Sequence, residues 1–287
     1  MASLKDIRRR IRATKSMQQI FKAMEMVAAA KLRRAQQRAQ SASPYAAKIT
    51  AMLANLSGAA AELEHPLFKA REVRITALVL ITADRGFAGA YNTAILRIAE
   101  QRLRAAAPGS IQCVVVGRKG RDYLRRRGYP VLATHTDLPG EASLELARRI
   151  TTDLTERFVS GEVDRVEILY THFVNAIVRR VLTATFLPIG TAPASGEAAS
   201  AAGSAIFEPN AESIFAELLP RYATAMLYAS MADALASEHS ARMVAMGSAR
   251  KNAGELVDAL TLTRNRMRQA MITREISELV GGAEALN

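Results

Sequence analysis

The sequence predicts an α/β protein whose two ends are long helices that pair as an antiparallel coiled coil around a doubly wound central domain. Three observations carry this expectation. Both ends of the chain show helical periodicity with a narrow, alanine-rich apolar stripe, and the stripe near the C-terminus repeats in alternating steps of four and three. Between them, β-branched apolar runs alternate with helical segments.

Residues 1–60 form the first element. From Leu4 onward the apolar side chains Phe21, Met24, Val27, Ala28, Leu32 and Ala35 recur at three- and four-residue steps, the period of a helix with one buried face. A helix lying on an ordinary core would carry more Leu, Ile and Phe. Small residues predict close approach of one other helix instead. The stretch SASPYAAKI marks a kink at Pro44, and HPLFKAREV reads as a connector.

Residues 70–190 change texture. VRITALVLIT is a buried strand, YNTAILRIAEQRLRAAAP a helix ended by Pro108, IQCVVVG a second strand and RKGRDYLRRRG a short basic helix closed by Gly128. PVLATHT follows as a third strand and ASLELARRITTDLTERFVSG as a long helix. RVEILYTHF and RRVLTATFLPI form a pair joined through VNAIV. This alternation predicts a Rossmann-like, mostly parallel sheet with a late hairpin supplying an antiparallel edge. Residues 190–208, small, polar and punctuated by Pro and Gly, read as a flexible surface loop.

Residues 209–287 return to helix, with no proline after Pro220. Ala249, Ala253, Leu256, Leu260, Thr263, Met267 and Ala270 describe a heptad seam. A helix from Arg221 to Val280 would be about 90 Å long at 1.5 Å per residue. Its slender seam matches that of the first helix, so the two ends of the chain are each other's partner.

Composition bounds the function classes. With 287 residues and 49% hydrophobic content the chain supports a real core, and 39 Lys and Arg against 27 Asp and Glu give a formal charge of +12. Basic residues crowd the first forty positions, where the only acids are Asp6 and Glu25. Such a surface suits nucleic acid, anionic lipid or a negative protein face, and charge alone does not choose among them. A single cysteine, Cys113, lies in an apolar strand and reads as a buried structural thiol. No run approaches the roughly 20 apolar residues of a membrane span, so a soluble chain without direct membrane insertion is expected. The Arg-rich start also resembles a transit peptide, but its periodicity continues past residue 30, which favours mature structure.

Catalytic and ligand-binding patterns are scarce. TADRGFAGAYN, Thr82 to Asn92, sits between a strand and a helix, where α/β folds bind phosphate. It lacks the lysine and hydroxyl of a P-loop and the three glycines of a dinucleotide fingerprint. The structural reading is that Gly86 and Gly89 turn the strand into the helix while Asp84 and Arg85 pair locally. His65, His135, His172 and His239 fall in separate segments without metal-ligand spacing. GRKGRDYLRRRG lacks the interleaved aromatics of single-strand binders and reads as a solvated basic helix. No cofactor, metal or catalytic residue is expected, and a mechanical role gains weight. The alternative from residues alone is a basic coiled coil binding nucleic acid or anionic membrane through Arg8 to Arg38.

KAMEMVAAAKLRRAQ near the start and ARMVAMGSARKNAGELVDALTLTRNRMRQAMITREISELVGGAEAL at the end resemble the γ subunits of F-type ATP synthases, and TADRGFAGAYN resembles that family's central Ser/Thr-Asp-Arg-Gly motif. The resemblance covers essentially the whole chain in order. It implies a noncatalytic rotor shaft whose coiled coil penetrates a ring of α and β subunits, with the α/β domain near ε and the c-ring, no nucleic acid partner, and ATP chemistry left to β. It further implies a peripheral location on the cytoplasmic face of the inner membrane, with bacterial origin favoured. By motif, Met24 corresponds to a position facing a β-subunit loop, with Arg242, Gln269 and Thr273 near the same zone, and Arg268 and Gln269 match a pair that bonds a catch loop of β. An arginine there would pair with β carboxylates through charge-assisted bonds. Phe87 and Ala88 stand where many relatives carry Leu and Cys, and Cys113 alone cannot form the redox switch of plant-type γ subunits. Gly247, within the C-terminal helix, costs about 1 kcal/mol of helix propensity relative to Ala and has no explanation in the sequence.

Overall fold

A computed structural model describes residues 3–60, 65–138, 140–189 and 211–284, with side chains over 3–38, 65–138, 140–189 and 217–281. The expected loop at 190–208 lies outside the described residues. In chain order the elements are α1 (Leu4–Ala60), β1 (Thr76–Ile81), α2 (Tyr91–Ala105), β2 (Ile111–Val116), α3 (Arg118–Arg126), β3 (Val131–His135), α4 (Leu144–Ser160), β4 (Arg165–Phe173), β5 (Arg179–Leu187) and α5 (Ala211–Glu284). Pro44 lies inside α1 without interrupting the helix. The chain divides into two compact units, one of Met1–Ala28 with Arg242–Asn287 and one of Ala29–Ala241. The division cuts both terminal helices, because α5 supplies part of the core of the second unit as well as one helix of the first.

The unit Ala29–Ala241 is built on a five-stranded sheet of order β3-β2-β1-β4-β5. β1 pairs in parallel with β2 and β4, β2 in parallel with β3, and β5 closes one edge antiparallel to β4, as the late hairpin predicts. Every residue of β1 is buried, which a strand covered on both faces requires. Ala77, Val79 and Ile81 point to one face, where they join Ile150, Leu154 and Phe158 of α4 and Leu219, Leu227 and Met231 of α5. Leu78 and Leu80 point to the other, against Ile95, Leu96 and Ala99 of α2 and Leu124 of α3. Helix ends are fixed locally. The Ser143 hydroxyl accepts the Leu146 N–H at 3.2 Å, and Gly161 takes the left-handed conformation that ends α4, at φ 81°.

The ends of β1, β2 and β3 are tied together by two side chains of the TADRG stretch. Thr82 Oγ1 donates to the Val116 carbonyl at 3.0 Å and accepts the Gly120 N–H at 2.9 Å. A Cβ on Gly117 would lie 2.2 Å from the Thr82 carbonyl oxygen, and one on Gly120 would lie 2.8 Å from Thr82 Oγ1, so both positions require glycine. Asp84 receives the Arg118 N–H on one carboxylate oxygen at 2.8 Å and the Leu138 N–H on the other at 2.6 Å. One carboxylate thereby joins the segments that follow three different strands. The expected pairing of Asp84 with Arg85 does not occur: both Asp84 oxygens are taken by backbone donors, the nearest guanidinium is that of Arg118 at 4.0 Å, and Arg85 is exposed. Nor does Gly86 make the turn. Positive φ falls on Phe87 (60°) and Gly89 (55°).

The basic segment at α3 is more engaged than a solvated helix. Glu100 of α2 accepts the Tyr123 hydroxyl at 2.5 Å and pairs with Arg104 and Arg127, and the Arg127 guanidinium lies 3.8 Å over the Tyr123 ring. The Tyr123 hydrogen bond, more than the neighbouring arginines, holds the Glu100 carboxyl below its ordinary pKa.

Two outcomes test this unit. Cys113 is fully buried, and burial pushes its thiol up to about 12. A thiol reagent at mildly alkaline pH should therefore label the native chain only as fast as it unfolds, and fully in denaturant. Asp84→Ala removes the acceptor of two backbone N–H groups and should lower the unfolding free energy by about 2–4 kcal/mol, measured by urea titration, whereas Arg85→Ala should change it by less than about 0.5 kcal/mol.

Candidate functional site

Two places compete as the working part of the chain: the phosphate-like turn after β1 and the two-helix unit. In doubly wound sheets a ligand sits outside the carboxyl ends of the strands, where the strand order reverses. Here that point lies between β1 and β4. It is filled from within the same unit: the Tyr91 hydroxyl donates to the Ala234 carbonyl of α5 at 3.1 Å, and Ala83, Ala88 and Tyr91 pack with Ala241. The remaining space, lined by Thr82, Tyr91, Leu138, Met231 and Glu238 among others, is a cavity of about 30 Å3, room for a water or two. Among the described residues no group of three or more His, Cys, Asp and Glu side chains is placed to hold a metal ion. His172 instead meets Asp233 at 2.5 Å, and Asp233 also accepts the Phe173 N–H at 2.8 Å, fastening α5 to β4.

The unit of Met1–Ala28 and Arg242–Asn287 is a pair of helical segments. α1 starts on a capping box. Ser3 Oγ accepts the Asp6 N–H at 3.2 Å, and Asp6 accepts the Ser3 N–H and hydroxyl, bonds that hold its carboxyl below the usual range. Its inward positions Ile7, Ile11, Thr14, Gln18, Phe21, Glu25 and Ala28 step by four and three. Ile7 and Ile11 close on Val257, with Leu260 and Met267 beside them.

The seam of α5 departs from the one read in the sequence. Ala253 is buried, and Ala249, Leu260 and Met267 are half-buried, as expected, but Leu256 is 49% exposed and Thr263 and Ala270 face outward. Val257 and Arg264 take the places of Leu256 and Thr263. A 3.6-residue helix drifts against a 3.5-residue repeat, and the cluster of Ile7 and Ile11 selects the β-branched Val257 as its counterpart.

Two layers of this seam are polar, and each faces a glycine. A Cβ on Gly247 would lie 3.2 Å from Glu25 Oε1, and one on Gly254 would lie 2.9 Å from Gln18 Nε2. Glu25 also accepts the Arg250 Nε–H at 2.8 Å. This accounts for Gly247: the missing side chain is the space that Glu25 occupies. Gln18, Arg250 and Gly254 are not singled out by the sequence reading, and the pairing of Glu25 with Gly247 is not either, although a signal for it exists. Gln18 and Glu25 are seven residues apart, as are Gly247 and Gly254.

Of the residues expected at a partner surface, Met24 and Arg242 are half-buried and lie toward the same end of the unit, near the Glu25–Gly247 layer. Arg268, Gln269 and Thr273 are exposed. They do not share that zone: Gln269 is 27 residues beyond Arg242 on one continuous helix, about 40 Å along its axis. From Arg268 to Gly281 every residue of α5 is exposed, including Met271, Ile272, Ile276, Leu279 and Val280. Met17, Ile20, Met26 and Val27 of α1 are likewise exposed. Exposed large apolar side chains along a helix mark an interaction surface. No helix among the described residues is long and apolar enough to cross a membrane.

A family model described as ATP synthase matches residues 3–286. The ATP synthase gamma chain of Desulforamulus reducens is 46% identical over 286 residues, covering 100% of both chains, and that of Pelotomaculum thermopropionicum is 43% identical with the same coverage. Among solved structures, a chain of the Euglena gracilis mitochondrial ATP synthase (OSCP/F1/c-ring, rotational state 3) superposes with a TM-score of 0.70 at 18% identity, covering 99% of this chain and 94% of that one. A chain of the Tetrahymena thermophila mitochondrial ATP synthase central stalk and c-ring gives 0.61 at 24% identity over 80% and 99%. These two likenesses bear on the fold. The alternative of a nucleic-acid or membrane-binding coiled coil finds no support in them. With a full-length family match and full-length relatives at 43% and 46% identity, the chain belongs to the gamma-chain family of ATP synthases.

Proposed function

We propose that this chain is the central rotor shaft of an F-type ATP synthase, a noncatalytic subunit that couples rotation of a membrane c-ring, driven by protons or sodium ions, to the conformational cycle of catalytic β subunits. The observation that carries this reading is the exposed apolar run of α5 from Met271 to Val280, with a separate set of outward apolar residues on α1. A helix exposed along all its sides in the isolated chain suits one enclosed by other subunits. Its partners are then α and β around the two-helix unit, with ε and the c-ring at the α/β domain. The chain is peripheral to the membrane, on the cytoplasmic face of a bacterial inner membrane.

Within this reading Met24 and Arg242 serve one contact level with β, and Arg268, Gln269 and Thr273 serve another about 40 Å along the helix. Arg268 and Gln269 are exposed and project donors that suit a carboxylate-bearing loop. The α/β domain contributes rigidity: its crevice is filled by α5, and its loops are pinned by Asp84.

Mixing the purified chain with α and β subunits of the same organism should give co-elution at moderate salt and an ATPase activity the chain alone lacks. Salt-sensitive retention on a polyanion without complex formation would overturn the reading. Arg242→Ala and Gln269→Leu should each lower ATP-driven proton pumping or assembly yield while leaving the circular dichroism spectrum and melting of the isolated chain unchanged. Normal pumping in both variants would reject the assignment of these residues.

A further inference from the structure

The middle of the two-helix seam is lined by small residues of α5, and alanine-lined stretches specify axial register weakly, since a slide of one heptad sets small residue against small residue again. In this chain Ala28, Ala249 and Ala253 are of that kind. Over that stretch the register needs a contact beyond the apolar cluster of Ile7, Ile11 and Val257. Besides Thr14, the inward line of α1 carries two longer polar side chains, Gln18 and Glu25, and each lies over a glycine of α5.

We propose that Glu25, seated over Gly247 and clasped by Arg250, is the residue that fixes the axial register of the two helices, with Gln18 over Gly254 as a second tooth one heptad away. The sequence makes this choice unique. A slide of seven residues in one direction would still offer Glu25 a glycine, Gly254, but would put Val257 in place of Arg250 and Thr261 opposite Gln18. A slide in the other direction would put Met243 in place of Arg250. Either leaves the carboxylate of Glu25 beside an apolar side chain inside a partly buried seam, where it is 29% exposed. A polar group that tolerates one register and penalises its neighbours is the best-attested use of such residues. Gly247 is then required for more than space. A Cβ there would meet Glu25 Oε1 at 3.2 Å, so the carboxylate would have to give by a few tenths of an ångström while bonded to Arg250, and a larger side chain would have to displace it.

The consequence for coupling rests on the shaft reading. A shaft whose strands can slip absorbs torsion between the levels of Arg242 and of Gln269 instead of transmitting it. Glu25 and Arg250 are in this sense positioning residues, acting through the alignment of α5 rather than by touching substrate.

The test has two readouts. In the isolated full chain, spin labels on Lys15→Cys and Asp258→Cys, both exposed positions, report register by their distance distribution, while buried Cys113 stays unlabelled. The parent should give one narrow distance. Gly247→Leu and Arg250→Glu should each add a second population or broaden the first, one heptad of slip being about 10 Å. In the complex assembled with α, β and the membrane sector, the same variants should keep ATP hydrolysis but pump fewer protons per ATP, and the exchange Glu25→Arg with Arg250→Glu should restore both readouts. A single narrow distance in both variants, or no rescue of the narrow distance by the exchange, would overturn the proposal, and unchanged pumping per ATP despite a broadened distance would overturn its consequence for coupling. If the parent chain itself fails to couple hydrolysis to pumping, the shaft reading falls, while the distance measurement still decides the register.

Discussion

The two-helix unit depends on one constraint: two helices come close only where neither presents bulk. The inward line of α5 from Met246 to Val257 passes through Gly247, Ala253 and Gly254, and the inward line of α1 ends on Ala28. Thin seams bury little apolar area and so gain little from burial. What they lose in area they recover in polar fit, because a glycine opens a pocket deep enough for a whole carboxylate or amide. Charge pairing then enters where a bulkier seam would exclude it. The outer apolar residues, freed from packing each other, remain available to other chains.

The α/β unit has the architecture of a ligand-binding fold and has spent its ligand site on itself. Tyr91, Ala83 and Ala88 stand at the point where the strand order reverses, and α5 occupies the space outside them. The turn that would cradle a phosphate is held shut by Thr82 and Asp84, whose acceptors are satisfied by backbone N–H groups of neighbouring loops. The same geometry that removes binding capacity adds rigidity, since each tie links segments far apart in sequence.

Much of this was legible in the sequence. Strand and helix order, the antiparallel hairpin at the edge and the pairing of the chain ends follow from hydrophobic period and turn residues, because both faces of the sheet and one face of each helix are dictated by burial. The partner of Asp84 was not legible, because Arg118 and Leu138 reach it only after two crossovers bring their backbones to the end of β1. Leu256 and Val257 show a different limit. Both are apolar and adjacent, and a pattern read along one helix cannot tell which faces a partner whose own Ile7 and Ile11 make the choice. Gly247 was visible as an anomaly and became interpretable only when the residue across the seam was known.

The exposed end of α5 carries a mechanical consequence. Between Arg268 and Gly281 no residue of this helix is covered, and α1 begins at Leu4, so this tip is a single rod where the rest of the unit is two rods bonded along their length. Bonded rods resist bending far more than one rod does, so elastic compliance concentrates in the last turns. Such a tip acts as a cantilever: a side load applied there bends the free end before it shifts the paired stem. The apolar side chains that clothe it then work as a bearing surface, guiding the axis without having to carry the twist.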